Sequence, residues 1–482
     1  MDPYPFPPPA LDPSNNEKYH QAIKAHSDKL ISLANESKIN YNHALKSVDP
    51  AKNSISFLAL LVFASENPKD VHPAELSDHI IRFLVSFDPR QVRYGGPSFI
   101  NICNTLLTPH LSSIAIDAVA MALQKLDPSG SVLTLAHVSL VETAVRTYDT
   151  ESISLLDVIS KKILFYPGML NQVPKGTLAA DMSLPAPHFM TSNSGLNPNV
   201  KPSDVIRYDY FCGMIYLMRR DWQGAYDCWM RCATHPSKDG GVSQVMVNAY
   251  KKLSLMSLLL KGRAVKLPSG MSGSAKRVYD IMGKPYTGLA ALFEAMNAKA
   301  LIKHANDCQK IWDQDQNLSM VTECLASYQK WKIIDLRDIY TKVFLSEVRS
   351  QTQSAITGQE LASEDEVEEL VTDMISSGML RGHLGTTDGS RTYLEFLPEN
   401  PALSEEQYYE ELVASSQRLK LVEPLWRMAD DRVSTSKEHI KHLVRMEYNT
   451  KKRGNTTGFS AGFMDPGFED PMEDEDLMGD SY

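Results

Sequence analysis

Thirteen histidines, six cysteines and many carboxylates supply this 482-residue chain with its chemistry-bearing side chains, and their spacing limits what they can do. His439 and His442 stand one helical turn apart, close enough for two imidazoles to share a zinc ion. Lys437, Lys441 and Arg445 surround them with positive charge that disfavours a divalent cation, so the pair reads as a solvated helix face. Neither H-x-H nor H-E-x-x-H occurs. Cys228, Cys232 and His235 resemble part of a thiolate–imidazole cluster. No second pair at finger spacing completes it, and Cys232 falls where two packed helices need a small side chain. Phosphate-cradling G-x-x-x-x-G-K-[ST] and G-x-G-x-x-G runs are absent. Gly270 to Ser274 approaches the nucleophile elbow G-x-S-x-G, yet it ends in Ser where the turn needs Gly and follows no strand, so it reads as a loop. No catalytic residue, cofactor or metal is expected.

Composition narrows the partners. A net charge of -10 and a pI near 5.8 disfavour a general affinity for phosphate backbones or anionic lipid. Cys103, Cys212, Cys228, Cys232, Cys308 and Cys324 are spread thinly and read as reduced, buried thiols. Residues 1 to 13 hold six prolines and no basic residue, unlike a secretion signal, and no run of about 18 apolar residues offers a membrane span. Cytoplasm and nucleus are the expected compartments.

The elements that would position any site are almost all helices. After a proline-rich, disordered lead (1–16), apolar residues recur at helical spacing over 17–163. The predicted helices are Glu17 to Ala34, Ser54 to Phe63, Pro73 to Ser86, Pro97 to Leu107, Leu111 to Leu126, Thr134 to Tyr148 and Ser152 to Ile163. Such lengths suit stacked helical repeats, in which each pair buries its apolar stripe against its neighbours. Six prolines make 164–203 a long connection. A second array over 204–340 opens with the hairpin Tyr210 to Pro236, where Gly213, Tyr216, Ala225 and Trp229 fall at tetratricopeptide spacings. Helices Val242 to Leu260, Pro285 to Ala298, Ala300 to Trp312 and Leu318 to Ile334 extend it.

The pattern then changes over 341–400. A helix from Ser346 to Ile356 and a second one capped by Ser363 and Glu366 precede two short strands, Leu380 to Leu384 and Thr392 to Leu397, joined around Asp388 and Gly389. Helix, helix, hairpin is the order of a winged helix. That module often reads DNA with its second helix, but here this helix carries Glu364, Asp365, Glu366, Glu368, Glu369 and Asp373, which would repel a duplex. A partner strand on the hairpin edge is the sharper expectation, with Leu380, Leu384, Tyr393 and Phe396 as interface candidates. C-terminal helices over 401–453 carry a narrow apolar seam, Leu419, Val422, Trp426, Ala429 and Val433, resumed by Ile440, Leu443 and Val444. Pro424 is expected to kink the first of them. The tail 454–482 holds eight acidic residues and no Lys or Arg, and reads as disordered.

Helical repeats running into a winged helix and then bundle helices resemble the PCI architecture of the proteasome lid, the signalosome and translation initiation factor three. Within it, Val242-Ser243, Met246, Tyr250-Lys251-Lys252, Ser257-Leu258, Leu260 and Gly262 resemble the long repeat helix of the subunit 3 family of the constitutive photomorphogenesis 9 signalosome. Gln91-Val92-Arg93-Tyr94, Tyr210, Gly213 to Tyr216, Leu267-Pro268, Val321, Cys324 and Leu325 add to the match, while the long 164–203 loop and the tails depart from it. The resemblance implies a mainly α fold, a tetratricopeptide- or HEAT-like superhelix followed by a winged helix (the PCI domain) and bundle helices. It also implies a scaffold subunit of the complex that removes a ubiquitin-like modifier from cullins and so regulates cullin-RING ubiquitin ligases. Cleavage would belong to another subunit, and the first and, where present, the eighth subunits would be neighbours. A proteasome-lid subunit and a winged-helix DNA-binding protein are the alternatives.

Overall fold

The computed structural model describes residues 16–34, 41–66, 71–92, 94–107, 113–127, 133–146, 196, 200–236, 241–269, 271–295, 297–386, 391–398, 404–435, 439–441 and 443–446. The proline-rich lead, the helix expected over 152–163, most of the 164–203 connection, the Asp388–Gly389 turn and the acidic tail lie outside them. The chain divides into two units, Met1–Leu397 and Pro398–Tyr482.

The first unit opens with helices α1 (Asn16–Ala34), α2 (Tyr41–Ser47), α3 (Ser54–Glu66), α4 (Pro73–Ser86), α5 (Pro89–Val92), α6 (Gly96–Leu106), α7 (Ser113–Leu126) and α8 (Leu135–Arg146). Apolar on nearly every side, α3 buries Ile55, Phe57, Leu58, Leu60, Leu61 and Ala64 and is flanked by α1, α2, α4 and α6. Phe83 and Phe99 each lie 5.4 Å from Phe87, centroid to centroid, and fill the space beneath it. Gln91 is buried because its amide bridges two backbones: Oε1 accepts from the Ile55 N–H (3.2 Å) and Nε2 donates to the Lys52 carbonyl (2.9 Å).

A second run follows: α9 (Pro202–Met218), α10 (Trp222–Ala233), α11 (Gln244–Lys261), α12 (Gly273–Met282), α13 (Lys284–Glu294), α14 (Ala298–Asp307), α15 (Gln309–Gln314) and α16 (Leu318–Asp335). Helix α9 packs on α8, Arg207 pairs with Glu142, and one apolar core runs through both arrays. The helical hairpin α9–α10 is as close-packed as its small residues require. A Cβ on Gly213 would stand 2.4 Å from the indole nitrogen of Trp229, and one on Gly224 would stand 2.7 Å from the ring of Tyr216. Helix α11 is the spine of this array, buried along most of its length, capped by Ser243 and ended by Gly262 at φ +62°, where the Trp331 ring occupies the place of a side chain.

Three expectations need correction here. Helix α9 begins at Pro202, inside the expected connection; proline at the first helical position lacks only an N–H that has no helical partner, and the Asp204 carboxylate accepts from the Lys201 N–H at 3.0 Å. The stretch read as a loop at 270–274 ends in a helix, since α12 starts at Gly273. The helix expected over 300–312 is divided at Cys308 into α14 and α15.

Helix α16 continues into a second core. Ile333 and Leu336 at its end join Val343, Leu345, Val348, Val367, Val371, Met374, Leu380, Leu394 and Phe396. These come from β1 (Lys342–Phe344), α17 (Leu345–Gln351), α18 (Glu364–Ser376), the loop after it and β3 (Thr392–Phe396), with Leu384 of β2 (Gly382–Thr386) packed against them: the winged helix. The helix before the 358–363 loop is shorter than expected, ending at Gln351. The hairpin is part of a three-stranded antiparallel sheet in the order β1-β3-β2. Ser363 caps α18 by accepting from the Glu366 N–H (3.2 Å), and Gly378 follows its end at φ +73°. The winged helix is tied to the repeats by Gln329–Thr352 (3.2 Å) and Lys330–Asp373 (2.6 Å), while Lys332 holds α16 to α13 by donating to the Glu294 carbonyl and also donates to Asp335, both at 3.0 Å.

The second unit contains α19 (Glu405–Ser434), thirty residues whose helix continues through Pro424 without interruption. No helix among the described residues is long and apolar enough to cross a membrane.

Candidate assembly interface

Among the described residues, two features stand without a covering element. One is the sheet of the winged helix. With β3 in the centre, paired to β1 through Val343↔Leu394 and to β2 through Leu384↔Leu394, no described strand pairs with the far side of β2. Alternation of the ladder fixes which groups face outward. The Leu397 N–H donates to the Arg381 carbonyl (2.9 Å), so Arg381, His383 and Gly385 bond to β3, and Gly382, Leu384 and Thr386 turn their N–H and C=O groups to the rim. Of the interface candidates in this module, Leu380 and Phe396 are buried in its own core, and Leu384 and Tyr393 are half-buried. What the hairpin offers a partner is therefore backbone more than these side chains, because the apolar face of the sheet is covered by α18 and α17.

The other is α19. None of its described side chains is buried: Leu419 is 70% exposed, Val422 51% and Trp426 64%, and Tyr408, Tyr409 and Leu412 are exposed as well. Ile440, Leu443 and Val444 are equally open; the side chains of Ala429 and Val433 lie outside the described residues. A polar helix with one apolar row saves little free energy alone in water, because most helical stability comes from packing such a face.

The chemical candidates resolve into packing. The Cys228 thiol accepts from Arg231 Nη2 (3.2 Å), and burial pushes it up to about 12; Cys232 donates to the Ile206 carbonyl (3.6 Å) and is likewise raised by burial. His235 is half-buried and lowered by desolvation. Among the described residues no three His, Cys, Asp or Glu groups gather as a metal site would require, and His442 lies outside them. On α18, Glu364, Asp365, Glu366, Glu368, Glu369 and Asp373 are all exposed, the arrangement that disfavours a duplex.

One buried network escaped the sequence reading. Lys251 Nζ lies 2.8 Å from Asp315, which also accepts from the Tyr286 hydroxyl (2.8 Å); Asn317 donates to that hydroxyl (2.7 Å) and accepts from Lys252 Nζ (2.6 Å). Burial pushes the Lys252 ammonium down to about 8. The only sequence signal was the paired lysines within an apolar helix. Their partners lie more than sixty residues away, which no local pattern shows.

The repeats themselves have known relatives. Residues 14–163 and 180–274 match the family described as COP9 signalosome complex subunit 3, N-terminal helical repeats. COP9 signalosome complex subunit 3 of Neurospora crassa is 34% identical to the chain, over 98% of the chain and 97% of that protein. The chain belongs to the COP9 signalosome complex subunit 3 family. The Emericella nidulans member is 27% identical over 92% of the chain and 91% of its own length. The first array with Gln91, and α9 to α11 with the paired lysines, lie within the residues matched to the subunit 3 repeats, whereas α13 to α16, the winged helix and α19 follow them and are covered by the full-length relatives.

Proposed function

We propose that the protein is a non-catalytic scaffold subunit of the signalosome. In this reading it joins the assembly through the β2 rim and through α19 and the helix after it, and so supports removal of a ubiquitin-like modifier from cullins by another subunit and the regulation of cullin-RING ligases. The observation that carries the reading is the row Leu419, Val422 and Trp426, which stands open on a helix that buries none of its described side chains. Three such residues, covered by partner helices, would each contribute about 1.5–3 kcal/mol. The full-length match to subunit 3 relatives supplies the complex. Its neighbours in this reading are the first and, where present, the eighth subunits, and its compartments cytoplasm and nucleus. Neither nucleic acid nor membrane is a direct partner.

The test is a triple substitution, Leu419→Asp, Val422→Asp and Trp426→Asp, in the full chain co-expressed with the other subunits. Co-purification should fall at least tenfold, and cullin processing with it, while the melting of the repeat unit stays at the wild-type temperature. Undiminished co-purification would refute the reading.

A further inference from the structure

One row of polar, hydrogen-bonding side chains crosses all three strands of the winged-helix sheet and ends at its open rim. Lys342 on β1 and His383 on β2 both stand in register with Glu395 on β3, on the face opposite the buried Val343–Leu394 pair. Lys342 Nζ lies 3.0 Å and His383 Nε2 3.1 Å from Glu395 Oε2. Glu395 is the most enclosed of the three, 28% exposed against 55% for Lys342 and 54% for His383, and Lys342 also lies 5.4 Å above the Tyr393 ring. On this face of β2, Arg381 precedes His383 by two residues, and Gly385 follows it with no side chain. The rim therefore presents His383 and Arg381, backed by a carboxylate one strand inward.

We propose that His383 is the specificity-determining contact of this edge, selecting an incoming strand that carries Asp or Glu at the position directly facing it, so that the row continues Lys, Glu, His, carboxylate. The proposal rests on the edge-pairing part of the proposed function and names the chemistry of the strand that edge accepts. The backbone favours such a contact. His383 spends its N–H and C=O on β3, so toward an antiparallel newcomer it occupies a non-hydrogen-bonded pair, the type with facing Cα atoms about 4.5 Å apart and side chains closest. Nε2 is held by Glu395, which leaves Nδ1 for the newcomer; an imidazolium donates from both nitrogens and can bridge two carboxylates. A Lys or Arg at the facing position would offer the His383 ring no acceptor and, against a protonated ring, would be repelled, so the contact that welcomes a carboxylate rejects a basic strand.

The test measures how tightly the full chain enters a signalosome reconstituted from the remaining subunits, comparing wild type with His383→Glu, His383→Lys and Thr386→Pro. Thr386 is exposed and turns its N–H to the rim, so proline there removes a bond available to a partner while sparing the β3 ladder. His383→Glu should weaken entry about fivefold or more, His383→Lys should stay within about twofold, and Thr386→Pro should weaken it about tenfold. Should the proline variant melt below wild type, hydrogen-exchange protection of residues 382–386 on assembly of the wild-type complex takes its place. No effect of Thr386→Pro and no such protection would refute edge pairing. Loss on Thr386→Pro with His383→Glu equal to wild type, or with His383→Lys as weak as His383→Glu, would overturn charge selection while leaving edge pairing standing.

Discussion

His137 sits in the first turn of α8, where its Nδ1 accepts from the Thr134 N–H at 3.1 Å while Thr134 Oγ1 lies 2.8 Å from the same nitrogen. The Thr134 side chain in turn accepts from the His137 N–H at 3.4 Å, so the two residues form a capping box in which imidazole replaces the usual carboxylate or amide. Burial pushes the ring down to about 4, and a proton on Nδ1 would remove the acceptor and place positive charge at a helix N-terminus. The folded pKa lies below the unfolded value of 6.5, so the unfolded chain binds more protons between those limits and stability falls as pH drops from about 6.5 to 4. The full loss is roughly 3 kcal/mol. His137→Gln keeps an acceptor and does not titrate, so urea unfolding of that variant should lose this share of the acid sensitivity; an unchanged pH slope would show that His137 is not its source. No spacing rule singles out this histidine among thirteen, because the decisive fact is burial.

Elements were legible where their reasons were local. Pro73 to Ser86 matches α4 because proline opens it and the apolar period is uninterrupted, and Ser363 with Glu366 announces α18 through a bond the sequence spacing itself implies. Elements whose reasons are distant were missed. Three residues of β1 have no strand signature and are held by β3, some fifty positions on, and the start of α9 was hidden because proline marks both breaks and beginnings. The period of α19 marks its exposed apolar row, whereas Leu380 and Phe396, both buried in the winged-helix core, look alike in sequence whether they fill a core or face a partner. The α11 network makes an element-scale prediction. Asp315→Ala leaves Lys251 buried without its carboxylate and should cost roughly 3–5 kcal/mol in urea denaturation, whereas Lys251→Met combined with Asp315→Leu should cost far less. Equal losses in the two variants would mean that volume, not charge, holds α11 to the 315–317 turn.

The molecule as a whole is unevenly finished. Residues up to Leu397 hold two apolar cores, the first with large aromatic side chains fully buried, while α19 exposes the apolar row that a helix ordinarily hides. In the proposed assembly, the C-terminal helix would gain its core from other chains. Amide hydrogen exchange across residues 405–434, compared between the free full chain and the assembled signalosome, reads this out. Exchange should be rapid over α19 in the free chain beside slow exchange in α11, with strong protection of both on assembly. Slow exchange of α19 in the free chain, unchanged by the other subunits, would contradict it.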